Sequence, residues 1–174
     1  MQEVKDSKQA TVRIGYDGRV HKTFRGPLAD RRFANELAVL RYLERQKCPF
    51  VPRVLEVDEA KLYMVTTNCG SIVDKISQDK LDHLFNELEQ YGVRHNDPFP
   101  RNVTYNADMG RFCLIDFEFA TILESGSGFS LEELEELEGR RRREKALQQL
   151  EAAETAIRLE GEKKERTTHG TGRA

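Results

Sequence analysis

The chain has 174 residues, a formal net charge of −2 and 33% charged residues, which leaves room for one domain with a real core plus a tail, gives no global basic field for nucleic acid, and exceeds the usual charged share of about 25%, with the excess toward the C-terminus. No stretch is long and apolar enough to cross a membrane and the start MQEVKDSKQA carries no signal core, so a cytoplasmic protein without nucleic-acid or membrane partners is expected. The cysteines Cys48, Cys69 and Cys113 are far apart, odd in number and outside any CxxC pair, which argues against a disulfide framework or zinc site.

Residues 11–24 read as a hairpin, with ATVRIG and RVHKTF as strands and Tyr16-Asp17-Gly18 as the turn. Alternation puts Val20, Lys22 and Phe24 on one face, so Lys22 points inward between two apolar neighbours. Residues 30–46 read as a helix with Phe33, Leu37, Leu40 and Leu43 as its stripe. Glu36 falls on that stripe, and a carboxylate there needs a partner. Lys22 is the nearest inward cation in sequence, and two such anomalies can cancel each other. Pro49 and Pro52 break the chain, VLEVD and KLYMVTT form a strand pair, and Asn68 to Ser71 form a connector. Residues 79–91 form an amphipathic helix with Leu81, Leu84, Phe85 and Leu88 inward and Gly92 as its stop.

Residues 102–119 read as a second hairpin, with NVTY and RFCLIDF as strands and Asn106 to Gly110 as the turn. If Tyr105 faces Arg111, Asn102 faces Leu114 and Asp116 lies diagonally close to Asn102. An amide oxygen and a carboxylate then meet at one end of the ribbon. These are the hard oxygen ligands Mg²⁺ takes when phosphates and water complete its shell. Asp97, on the loop entering the first strand, lies at the same end, placed to orient or deprotonate an attacking hydroxyl. From residue 130 the composition changes: Ser130 and Glu133 form a capping box, and Glu136–Arg140 has the supporting i,i+4 spacing. The helix over 130–166 has a thin apolar stripe and offers a surface for a protein partner.

The order of parts is a lysine on a strand, a glutamate on the next helix, His95-Asn96-Asp97 with Asn102 five beyond the aspartate, then Leu114-Ile115-Asp116-Phe117-Glu118. It resembles the protein-kinase-like phosphotransferase superfamily over roughly residues 11–123. The resemblance implies an α+β fold, a reduced two-lobed kinase-like architecture. Residues 11–70 would form a reduced N-lobe, 71–125 a reduced C-lobe with catalytic and metal loops, and 126–174 a charged helical tail. It implies ATP and Mg²⁺ as cofactors. Lys22 would hold the phosphates with Glu36 as its helix partner, Tyr63 to Gly70 would be the hinge beside adenine, and Asp97 the base. Asn102 and Asp116 would be the metal ligands. His95 belongs to the catalytic loop, where the family residue bonds backbone near the Asp-Phe turn. HND…N and LIDFE are similar to choline/ethanolamine kinases and aminoglycoside phosphotransferases, and the size is similar to lipopolysaccharide-kinase-like, RIO and KEOPS-complex kinases.

The chain departs from the family pattern in three places. Phe99 stands where protein kinases carry lysine, and Glu118 replaces the final glycine of Asp-Phe-Gly. The strand and glycine-rich loop ahead of the lysine strand are expected to be missing or heavily reduced, and no large substrate lobe follows Phe119. Three readings follow: a minimal ATP-dependent kinase acting on a hydroxyl, perhaps of protein serine/threonine or of a small molecule of the choline or aminoglycoside type; a pseudokinase or nucleotide-binding module regulating a partner; and a helical adaptor. Arg94 and Arg101 could meet phosphate, with solvated surface as the simpler assignment.

Overall fold

A computed structural model gives residues 2–7 and 9–168. Its N-terminal part is an antiparallel sheet of β1 (Gln2–Asp6), β2 (Ala10–Ile14), β3 (Val20–Phe24), β4 (Val54–Asp58) and β5 (Tyr63–Thr66), in the order β1-β2-β3-β5-β4. The helix α1 (Ala29–Arg45) joins β3 to β4. Two three-stranded sheets follow. One orders β6 (Ser71–Ile72), β8 (Val103–Asn106) and β9 (Arg111–Leu114); the other orders β11 (Ser127–Gly128), β10 (Thr121–Ile122) and β7 (Val93–Arg94). The helix α2 (Gln78–Gln90) precedes β7, and α3 (Leu131–Thr168) ends the described chain. The fold is α+β. No helix among the described residues is long and apolar enough to cross a membrane.

Residues through Ser130 form one compact unit, and those from Leu131 onward form a second. The expected tail began at residue 126, but β11 pairs with β10 and belongs to the first unit. The last six residues of that expected tail, 169–174, lie outside the described residues.

Apolar periodicity set the core. Phe33, Leu37, Leu40 and Leu43 of α1 and Leu81, Leu84, Phe85 and Leu88 of α2 are all buried in one cluster, with Phe50, Val93, Leu114 and Phe117. Burying each such side chain contributes roughly 1.5–3 kcal/mol. Ser77 caps α2, its Oγ accepting from the Lys80 amide at 3.3 Å. Within α3, Arg140 pairs with Glu136 at 2.8 Å, the expected i,i+4 contact.

Two expectations need correction. The first strand is present: β1 pairs antiparallel with β2. Its sequence QEVKD lacks the apolar alternation that marks a half-buried strand, so only pairing reveals it. What is reduced is the connection to β2, where Ser7 Oγ accepts from the amides of Gln9 and Ala10. The second correction concerns register. Tyr105 faces Phe112 and Val103 faces Leu114, one residue away from the expected pairing. Asn106 Oδ1 accepts from the Met109 amide and Gly110 takes φ 63°. The loop therefore closes between Asn106 and Arg111, one residue tighter than expected. Asn102 falls just outside the ladder, in the single helical turn Pro100–Asn102, and its carbonyl accepts from the Ile115 amide at 3.0 Å.

Candidate active site

Alternation along β3 turns Lys22 inward, opposite Val12 on one side and Met64 on the other. Its ammonium donates to Glu36 Oε2 and to Asp116 Oδ1, each at 2.6 Å, and lies 3.8 Å from Glu118 Oε2. It also sits 4.6 Å above the Phe24 ring. The expected pairing of Lys22 with Glu36 is therefore present, and Asp116 joins it from far along the chain. Burial opposes the Lys22 charge, but Asp116, Glu36 and Glu118 outweigh it and hold its pKa above the ordinary lysine value. Burial pushes the Glu36 carboxyl up to about 7, against the pull of Lys22.

Asp116 follows β9 directly with φ 67°, and Asn96 takes φ 62°. Left-handed backbone is uncommon away from glycine and collects where a site imposes it. Asn96 Nδ2 lies within hydrogen-bond reach of the Phe119 carbonyl, Thr121 Oγ1 and the Phe129 carbonyl, tying the loop before Asp97 to the segment after Asp116. Asp97 Oδ2 and its own carbonyl both accept from Asn102 Nδ2, at 2.7 and 2.8 Å, while Oδ1 accepts from Arg101 at 2.5 Å.

His95 lies behind this loop. Its ring packs against Phe85 and Phe117, and Nε2 donates to the Ile115 carbonyl at 2.9 Å. Burial lowers its pKa and favours the neutral ring. Its role is to hold the segment carrying Asp116.

Lys22, Glu36, Asn102 and Asp116 line one cavity of about 290 Å³ whose apolar walls include Val12, Val20, Met64, Ile72 and Ile115. Asp97 reaches that cavity through its bonds to Asn102 and Arg101, both of which line it. Thr67 to Gly70, from the connector, close one side. A larger cavity of about 350 Å³ against α1, lined by Phe33, Leu37 and Arg41 among others, holds none of these groups. The oxygen donors of Asn102 and Asp116 suit Mg²⁺. With Nδ2 of Asn102 held by Asp97, its side-chain oxygen is the atom that remains for a cation. Glu36, Asp116 and Glu118 also present carboxylate oxygens within 4.8 Å of one another, with Lys22 lying among them.

Sequence reasoning missed Arg32, Asn35 and the role of Glu118. Arg32, 1% exposed, donates to Glu118 Oε2 at 2.9 Å and to the carbonyls of Pro27, Gln9 and Arg25. Asn35 Nδ2 donates to the carbonyls of Glu118 and Ala120. One face of α1 thus grips the segment after Asp116. The available signal was spacing: Arg32 lies one turn before Glu36.

Compared with known proteins, the chain matches no family model and none of the curated proteins.

Proposed function

We propose that this chain is an ATP- and Mg²⁺-dependent phosphotransferase acting on a hydroxyl, a reduced member of the protein-kinase-like superfamily. The observation that carries the reading is Lys22, held at 2.6 Å from both Glu36 and Asp116 on a cavity that Asn102 shares. Four groups far apart in sequence converge there, with opposite charges and hard oxygen donors, and no structural need explains all of them.

In this reading Lys22 exchanges its contact with Asp116 for nucleotide phosphates while Glu36 keeps it aimed. Asn102 and Asp116 hold Mg²⁺, which supplies charge neutralisation on the phosphates when bound. Asp97 orients the acceptor hydroxyl and takes its proton. The apolar walls and Thr67 to Gly70 form the adenine side. Protein serine and threonine hydroxyls are the acceptors to test first, with choline- or aminoglycoside-type small molecules as the alternative.

The short connection between β1 and β2, in which Gln9 and Ala10 amides bind Ser7 rather than facing outward, favours a second reading: a nucleotide-binding module that regulates a protein partner, with the charged helix α3 offering a docking surface. One assay separates the two. Mg²⁺-dependent ATP turnover and autophosphorylation are measured for wild type, Asp116→Ala and Asp97→Ala. The phosphotransferase reading expects Asp116→Ala to abolish metal-dependent turnover and Asp97→Ala to lower it by about 10²–10⁴-fold. Turnover that survives both changes removes the site assignment. Nucleotide binding without turnover selects the regulatory module.

A further inference from the structure

Two cationic side chains line the cavity among the described residues, Lys22 and Arg101. They are held differently. Lys22 is buried and fixed between carboxylates. Arg101 has a side chain 62% exposed, lies 4.4 Å over the Phe99 ring, and reaches Asp97 Oδ1. The other loop arginine, Arg94, pairs with Glu89 at 2.7 Å and lies off the cavity wall.

Arg101 and Asn102 together occupy both carboxylate oxygens of Asp97. An acceptor hydroxyl therefore finds an open oxygen only after Arg101 lets go. An exposed ion pair of this kind is weak and exchanges readily. A phosphoryl group in transfer spreads negative charge over three peripheral oxygens, and a planar guanidinium fork matches such oxygens better than it matches one carboxylate oxygen. The stem of Arg101 is anchored in the helical turn Pro100–Asn102, next to the amide that faces the cation position.

We propose that Arg101 is a further catalytic residue: it caps Asp97 at rest, and in the reaction it releases Asp97 and binds the phosphoryl group in flight. This inference rests on the phosphotransferase reading above. In the step itself the acceptor O–H gives its proton to the Asp97 carboxylate. The acceptor oxygen forms a bond to the γ-phosphorus as the bond from that phosphorus to the β,γ-bridging oxygen breaks, and ADP leaves with the electron pair. Arg101 exchanges no proton and supplies charge alone.

The acceptor need not be known to test this. Calorimetric titration compares Mg·ADP with Mg·ADP plus fluoroaluminate, a planar mimic of the transferring group, for wild type, Arg101→Ala and Arg101→Lys. Arg101 is exposed, so both variants are expected to fold. Wild type should bind Mg·ADP and gain affinity from fluoroaluminate. Arg101→Ala should lose at least about tenfold of that gain, the lower side of what removing one transition-state donor does. Its Mg·ADP affinity should stay within about threefold of wild type, the change expected of a group that acts only on the transferring phosphoryl. Arg101→Lys should recover part of the gain. A full fluoroaluminate gain in Arg101→Ala, no gain in wild type, or an equal loss for Mg·ADP alone would each overturn the role of Arg101 while leaving nucleotide binding intact. Wild type that binds no Mg·ADP would overturn the phosphotransferase reading and this role with it.

Discussion

Replacing Glu118 by alanine would leave the Arg32 guanidinium buried without its carboxylate. The Arg32 side chain is 1% exposed and that of Glu118 8%. Arg32 cannot swing to water, because its remaining donors bind the carbonyls of Pro27, Gln9 and Arg25. Removing one partner of a buried ion pair costs about 3–5 kcal/mol, a large part of the 5–15 kcal/mol typical of a small domain. Glu118→Gln keeps an acceptor oxygen beside Arg32 and should lose only about 1–2 kcal/mol, the scale of a weakened hydrogen bond. Urea unfolding read by tyrosine fluorescence isolates the relevant unit: there is no tryptophan, and Tyr16, Tyr42, Tyr63, Tyr91 and Tyr105 all precede Leu131. The midpoint should shift with the urea slope unchanged. A loss below about 1 kcal/mol for Glu118→Ala, within what ordinary substitutions do, or an equal loss for both variants, would refute the reasoning.

Two further perturbations address the same network and its surroundings. Glu36 is pushed up to about 7 from 4.5, so between those pH values the native state holds a proton the unfolded chain has released. Stability therefore falls as pH rises through that window, with the full loss present above about 7. The stability of wild type minus that of Glu36→Gln should fall by about 3 kcal/mol between pH 4.5 and 7; a flat difference would contradict it. At Gly70 the backbone has φ 95°, and an added Cβ would lie 2.1 Å from the Tyr105 carbonyl oxygen. Gly70→Ala should destabilise by at least about 2 kcal/mol through strain and clash. Unfolding indistinguishable from wild type would show that the connector relaxes freely.

The sequence made some of this legible for physical reasons. Lys22 and Glu36 each broke an apolar pattern, and two opposite charges forced inward on neighbouring elements have few alternatives to meeting each other. The spacing of Asp97 and Asn102 was also readable, and the structure links them by a direct hydrogen bond. Other features had no comparable signal. β6, β7, β10 and β11 are two residues each, too short for alternation to register. The ladder slipped by one residue because the Asn106 side chain shortens the loop, a choice that hydropathy does not encode. Arg32 escaped notice because an arginine beside an apolar stripe ordinarily snorkels to water. Only the fold supplies three carbonyls and Glu118 around its guanidinium. Glu118 itself read as a departure from a motif, and its value emerged only with its partner.

The most direct measurement is a crystal structure of the protein with Mg²⁺ and a non-hydrolysable ATP analogue. The account predicts phosphate density between the Lys22 ammonium and Asp116, with their 2.6 Å contact broken, Lys22 still on Glu36, and a cation touching Asn102 and Asp116. An intact contact between Lys22 and Asp116, with nucleotide bound elsewhere or not at all, would contradict it.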